Sequence, residues 1–385
     1  MALLILGLVL FVFLVVLHEY GHFLVAKRNG VEVEEFGIGF PPKLYGKRLG
    51  KGVFKGYYSI NLLPLGGFVK LKGEHDYDTQ PGTFGAAPLP AKVRIMLAGV
   101  SVNLVIALVM MTIVAWIGMP QLVQNQFTVK SDSKIIRSEV IANFIDTHSP
   151  AEKAGLKNGD IIKNINKQPI LTEQGLRNST KSLAGQTVSI TYERGGKTIK
   201  TKASLLNENV VAASLSTDNP KGYLGVGMSE YQLNRSTWSA PIVAAGVSTQ
   251  LTALTFKALG GAIASLGKSL ASAVSGHGRQ AKQEASAASQ NVAGPVGIYT
   301  ILKQGSILGY QFILFVVALI SLTLAIMNVL PIPALDGGRA FVMLLFRLIK
   351  KPLLPKTEEL IHGTGFALLI LLFITITIVD IKRFY

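Results

Sequence analysis

Four stretches of this sequence are too apolar, for too long, to sit comfortably in water. The first runs from Ala2 to Leu17 and continues through His18-Glu19-Tyr20-Gly21-His22 to Ala26; the others run from Ile95 to Gly118, from about Phe312 to Leu335, and, shorter, from Gly363 to Val379. A hydrocarbon layer of ~30 Å takes about 20 helical residues to cross, so the chain is expected to be a polytopic α-helical membrane protein with about four transmembrane helices. Composition agrees. Only 16% of the 385 residues are charged, 49% are apolar and the mean hydropathy is +0.41, whereas a soluble domain carries about 25% charged residues. The first stretch lacks a basic n-region, so it is expected to be kept as a helix and not removed as a signal peptide. A fifth candidate, Pro241 to Leu270, is interrupted by Lys257 and Lys268 and dotted with Gly, Ser and Thr. It reads as a surface or interfacial helix.

Lys and Arg number 38 against 22 Asp and Glu, a formal charge of +16. Such an excess suits nucleic acid or anionic lipid; the apolar content favours the bilayer, and no nucleic-acid partner is expected. Lys27, Arg28, Lys43, Lys47, Arg48, Lys51, Lys92 and Arg94 lie between stretches one and two, and Arg339, Arg347, Lys350 and Lys351 between three and four. Positive charge marks the cytoplasmic side, which puts both loops inside and segment 120–310 outside; Lys382-Arg383 vote the other way.

Residues 120–235 return to ordinary polarity, with strand-like runs at Val140–Ile145, Gln186–Arg194 and Lys197–Thr201, the last two joined by the turn Arg194-Gly195-Gly196-Lys197. Ser149 to Leu156 reads as a capped short helix, and Asn158-Gly159-Asp160 turns into the strand Ile161-Ile162. The run Ser149 to Ile162 resembles the core of a bacterial PDZ domain. Gly222-Tyr223-Leu224-Gly225-Val226 resembles the carboxylate-binding loop of that fold, placed after the core as in circularly permuted forms. Successive N–H groups of Tyr223, Leu224, Gly225 and Val226 would form a nest for the carboxylate of a peptide chain terminus. A small α+β domain that merely packs is the alternative. Ser272 to Gln290, rich in Ala, Ser, Gln and Gly, reads as a flexible connector.

With no cysteine in the chain, a metal ion must be held by His, Asp or Glu. His18-Glu19-Tyr20-Gly21-His22 is an H-E-x-x-H pattern: on a helix, positions i and i+4 share a face, so both imidazoles reach one ion while Glu19 stands beside it, able to take a proton from water. Three ionisable side chains in five residues of an apolar helix cost at least about 2.5 kcal/mol each when unpaired, which a divalent cation offsets. Hydrolytic zinc takes three protein ligands and a water. Asp336 is the candidate for the third, at the end of Asn328-Val329-Leu330-Pro331-Ile332-Pro333-Ala334-Leu335-Asp336-Gly337-Gly338, where two prolines break the helix. Irregular backbone at that depth is tolerated where it lines a cavity; a helix cap or turn is the other reading of Asp336.

His18-Glu19-x-x-His22 in the first stretch, Asn328-x-x-Pro331-x-Pro333-x-Leu335-Asp336-Gly337 in the third and a PDZ-like insertion between the second and third resemble the site-2 protease family of intramembrane zinc metalloproteases, nearest the bacterial regulator-of-sigma-E branch. Phe36–Phe40, Pro64–Lys70, Ala98–Asn103 and Gly294–Ile298 match the family in order, so the likeness covers nearly the whole chain. It implies that His18, His22 and Asp336 bind Zn2+, that Glu19 is the catalytic acid/base and that Asn328 bonds the substrate backbone, with helix packing as the other reading of Asn328. It further implies a bacterial inner-membrane endopeptidase, its active site toward the cytoplasm and its PDZ-like domain outside. The substrates would be single-span membrane proteins such as an anti-sigma factor after a first cut, or remnant signal peptides. Two departures stand out: one PDZ-like segment where the best-known members of that branch carry two, and Gly99-Val100 where Gly-Pro is frequent.

The domains read as a helix 1–26 with the metal motif, a membrane-associated β segment 27–94, a helix 95–119, a PDZ-like domain 120–235, a helix and connector 236–310, a helix 311–336, a cytoplasmic loop 337–361 and a helix 362–385. In the β segment, Val31–Phe36 alternates and Tyr57–Leu62 leads through Gly66-Gly67 into Phe68-Val69-Lys70-Leu71. The edge of this sheet, with Gly66, Gly67, Phe68 and Val69, is expected to pair with an unwound substrate as an added strand; a hairpin that only packs is the alternative. A silent scaffold and an ion or proton relay through His18, Glu19 and Asp336 are the competing function classes. His75, His148, His277 and His362 read as solvated.

Overall fold

The structure is a computed structural model that describes residues 2–50, 52, 54–217, 219–274, 295–305 and 308–384. The chain opens with α1 (Ala2–Arg28), β1 (Val33–Leu49), β2 (Gly56–Leu71), α2 (Leu89–Met96) and α3 (Ala98–Ile117). A β-rich stretch follows: β3 (Met119–Pro120), β4 (Lys134–Ile145), α4 (Pro150–Lys153), β5 (Ile161–Ile165), β6 (Gln168–Pro169), α5 (Glu173–Ser182), β7 (Thr187–Arg194), β8 (Lys197–Ser204), α6 (Glu208–Ser214) and β9 (Val226–Arg235). Helices close the chain: α7 (Ala240–Val274), α8 (Pro295–Gly305), α9 (Tyr310–Val329), α10 (Asp336–Leu348) and α11 (Pro355–Phe384). Two compact units result, Met1–Ile113 with Ala244–Tyr385, and Val114–Val243.

Among the described residues five helices are long and apolar enough to cross a bilayer: Ile5–Arg28, Ala98–Ile117, Ala240–Ser269, Tyr310–Val329 and Pro355–Lys382. This is a polytopic membrane protein. The third of these is the segment expected at the interface; it forms one unbroken helix that meets the length and composition needed to span. Of the connector expected over 272–290, residues 272–274 close α7 and the rest lie outside the described residues.

In the first unit α1 runs straight to Arg28 and stops where the amide and side chain of Asn29 return to the Val25 carbonyl and Gly30 takes φ 78°. β1 and β2 are long enough to fold back on themselves. Val33–Ile38 pairs with Gly67–Leu71 on one side and runs beside Tyr57–Ile60 on the other, and the latter pairs with Lys43–Leu49. The lateral order is therefore 67–71, 33–38, 57–61, 43–49, which leaves Gly67–Leu71 as an edge packed against α1. Phe23, Ala26, Val33, Phe36, Ile95 and Met96 form the core beneath it.

The second span was expected to begin at Ile95, but Leu97 interrupts the helix, and Ile95 belongs to α2. α2 carries Lys92 wholly buried, paired with Asp76 and with its ammonium 5.6 Å from the Phe84 ring centre. Between α9 and α10 the prolines at 331 and 333, which donate no N–H, break the helix as expected. The loop expected over 337–361 holds a helix, α10, whose first turn folds back so tightly that a Cβ on Gly338 would lie 1.9 Å from the Ile332 carbonyl oxygen.

The second unit is built on the sheet β3-β9-β4-β5-β7-β8, with β6 on β5. Alternate residues of β7, Val188, Ile190 and Tyr192, join Ile162, Ile165 and Leu176 in its core, each contributing about 1.5–3 kcal/mol by leaving water. Ser149 caps α4, its hydroxyl accepting from the Glu152 amide at 3.1 Å, and β7 turns into β8 at Arg194↔Lys197, both as expected.

Candidate metal centre and catalytic cavity

Because α1 is unbroken, His18 and His22 stand one turn apart on one face, ring centres 4.9 Å from each other and both buried. Asp336 opens α10 and is brought to them by α9, which packs on α1. Its Oδ2 lies 3.2 Å from Nε2 of His18 and 3.2 Å from Nε2 of His22, and the two Nε2 atoms are 3.3 Å apart. A tetrahedral ion with bonds of ~2.0 Å spaces its ligands at about 3.3 Å, so this triangle has the dimensions zinc requires.

The hydrogen bonds behind the triangle point the same way. His22 Nδ1 is 2.7 Å from the carbonyl oxygen of Ile95, which can only accept, so the ring proton is there and Nε2 turns a lone pair toward Asp336. A lone pair of His22 and a carboxylate converge on the space that His18 Nε2 also faces, and a cation fits that arrangement. Space is reserved as well: a Cβ on Gly99 would lie 2.4 Å from His18 Cε1 and 2.4 Å from His22 Nε2, and one on Gly21 would lie 2.8 Å from Val102 Cγ2. Bare backbone at these two positions lets α1 and α3 close on each other.

Glu19, His22 and Asp336 line one cavity of about 110 Å³, together with Val69, Glu74 and Arg339. Val69 lines the cavity beside the Glu19 carboxylate, and Gly67 sits against the Glu19 side chain, so the free edge of β2 runs past Glu19. Gly66 lies against Val15 and Phe40, and the Phe68 ring is turned away from the cavity, over Gly37. Asn328 occupies the last turn of α9; its side chain has no hydrogen-bond partner among the described residues. The sequence reading missed a charged layer behind the cavity. Arg339 donates to the Glu74 carbonyl at 3.3 Å, Asp76 meets Lys92 and, at 3.3 Å, Arg347, and Glu358 accepts from the Asp76 amide. His75, expected to be solvated, lies 3.5 Å from Glu358, and His362 accepts from the Ala334 amide in the broken turn before Asp336.

In the second unit the carbonyls of Tyr223, Leu224 and Gly225 accept from Leu206, Ala151 and Asp146, while their N–H groups have no acceptor among the described residues. Val226 opens β9, which pairs with β4 along one side; on the other, β3 covers only Leu233 and Asn234, and α5 packs against the strand. On neighbouring β4, burial acts to raise the Glu139 carboxyl, but Arg137 at 2.7 Å and Lys163 at 2.5 Å hold it below the usual glutamate range.

Comparison with known proteins agrees with this geometry. The model of peptidase family M50 matches residues 6–372. A Clostridium perfringens protein named provisionally as a zinc metalloprotease is 32% identical over 377 residues, covering 97% of each chain. Proteins named zinc metalloprotease RasP are 28% identical in Shouchella clausii and 25% in Oceanobacillus iheyensis, each covering 98% of both chains.

Proposed function

This chain belongs to peptidase family M50, the site-2 proteases, and is a zinc metalloprotease of bacterial type; from that premise we propose that it cuts single-span membrane proteins within or near their membrane segment. In this reading His18, His22 and Asp336 hold the zinc and Glu19 is the general acid and base. The observation that carries it is the triangle of 3.2–3.3 Å between Nε2, Nε2 and Oδ2, set between helices long enough to cross a bilayer and sharing a cavity with Glu19.

Lewis acidity toward the scissile carbonyl and toward a water is what zinc supplies when bound there. Glu19 takes the proton that the attacking water gives up and delivers it to the nitrogen of the departing amine. A substrate helix hides its carbonyls in its own hydrogen bonds, and the free edge Gly67–Leu71 offers it an alternative partner once unwound; Asn328, at the end of α9, would bond the same backbone. The unpaired amides of Tyr223, Leu224 and Gly225 beside the open half of β9 suit a peptide's terminal carboxylate, which makes the second unit a PDZ-like reader of chain ends. Anti-sigma factors already trimmed by another protease and remnant signal peptides present such ends. The charge bias of the loops supports a bacterial inner membrane, with the cavity facing the cytoplasm.

The test is cleavage of a model single-span peptide in proteoliposomes. Glu19→Gln and a zinc-chelating hydroxamate are each expected to stop cutting. N-methylation of successive substrate amides is expected to block cleavage with a period of two; uniform tolerance rules out strand pairing.

A further inference from the structure

One buried polar group beside the proposed metal centre presents to His18 the end of its amide that a zinc-bound imidazole cannot use. Asn103 lies within α3, an otherwise apolar helix, and is wholly buried. Its Nδ2 is 3.1 Å from Nδ1 of His18, and its Oδ1 has no donor among the described residues. Its backbone carbonyl accepts from the hydroxyl of Ser321 on α9 at 2.8 Å, so the residue ties α1, α3 and α9 together. An orphaned buried amide oxygen costs about 1–3 kcal/mol.

The tautomer of His18 decides which end of the amide belongs there. If Nε2 is a zinc ligand, the ring proton is on Nδ1, and an amide NH2 cannot receive it. The two ends of a carboxamide have nearly the same shape, and a half-turn about the Cβ–Cγ bond exchanges them. That turn sets Oδ1 on the Nδ1–H and satisfies both groups at once. Resting on the zinc reading above, we propose that Asn103 is the positioning residue of the metal centre. Its Oδ1 accepts from His18 Nδ1–H, fixes the tautomer and ring plane, and so aims the Nε2 lone pair at the ion. The Ile95 carbonyl does the same for His22 at 2.7 Å. Each zinc-binding imidazole therefore has one acceptor behind it, one from α2 and one from α3.

Asn103→Asp keeps the acceptor and Asn103→Leu removes it at similar volume. In the full-length protein, zinc affinity is measured by competition with a chromophoric chelator, and the visible spectrum of the cobalt-loaded form reports ligand geometry. Asn103→Asp is expected to hold zinc within about threefold of wild type, and Asn103→Leu about 10–100-fold more weakly with an altered cobalt spectrum. Wild-type affinity in Asn103→Leu overturns the proposal. So does loss of zinc from Asn103→Asp, which decides the matter alone if the leucine variant does not accumulate. Wild type that holds no zinc sinks the metal centre and this role with it, whereas zinc-loaded wild type beside an unaffected leucine variant sinks only the role of Asn103.

Discussion

Asp160 and Asp336 are both largely shielded carboxylates, and their surroundings differ in one respect. Asp160, in the second unit, receives two nitrogens of Arg194 at 2.7 Å and the Lys157 amide at 2.8 Å. The chain itself supplies its counter-charge. Asp336, in the first unit, faces two imidazole nitrogens at 3.2 Å, and among the described residues no lysine or arginine pairs with it. A shielded acid completed from within holds a fold together; one left incomplete by its own chain is a place for something from outside.

The sharpest way to break this contrast is to remove the acids. Asp336→Ala is expected to take zinc from about one ion per chain to none and cleavage to background, and Gly99→Ala, whose methyl would press on both imidazoles, to do nearly the same; metal analysis and the proteoliposome assay read both. Glu19→Gln is expected to slow cleavage by roughly 10²–10⁴-fold with zinc retained. Loss of the ion there would move Glu19 from proton carrier to ligand. Asp160→Ala is expected to cost the second unit about 1.5–3 kcal/mol in chemical denaturation while zinc content stays unchanged; a fall in zinc would erase the distinction. The smallest effect is at Glu139. Its carboxyl titrates lower in the folded unit than the ordinary value of 4.5, so its stabilisation is complete above that value and is lost as pH falls through the depressed one. Glu139→Gln should flatten the acid limb of thermal unfolding by no more than about 1 kcal/mol, since its cationic partners are a third exposed.

The metal motif was legible because one helical turn needs no tertiary information, and Asp336 because two prolines and two glycines announce a backbone that cannot continue as a helix. The strands around Arg194-Gly195-Gly196-Lys197 were legible for the same local reason. What escaped depended on partners far along the chain. Lys92 and Arg94 argue against a membrane approach before Ile95, yet Lys92 is neutralised by Asp76 and buried within α2. The double pairing of Val33–Ile38 depends on a register that alternation alone does not reveal. α10 was read as loop because its arginines look like solvated charge, when Arg339 and Arg347 serve the layer behind the cavity. Asn103 did leave a signal, a lone carboxamide in a helix of aliphatic side chains, and only the position of His18 gives it meaning.

The third member of the proposed ligand set arrives late. Asp336 follows His22 by 314 positions, and at about 5–20 residues per second of synthesis the two imidazoles wait roughly 15–60 s for it. During that interval the growing chain is in the membrane without its full proposed ligand set. A chain stopped before Asp336 lacks the third proposed ligand and with it the site.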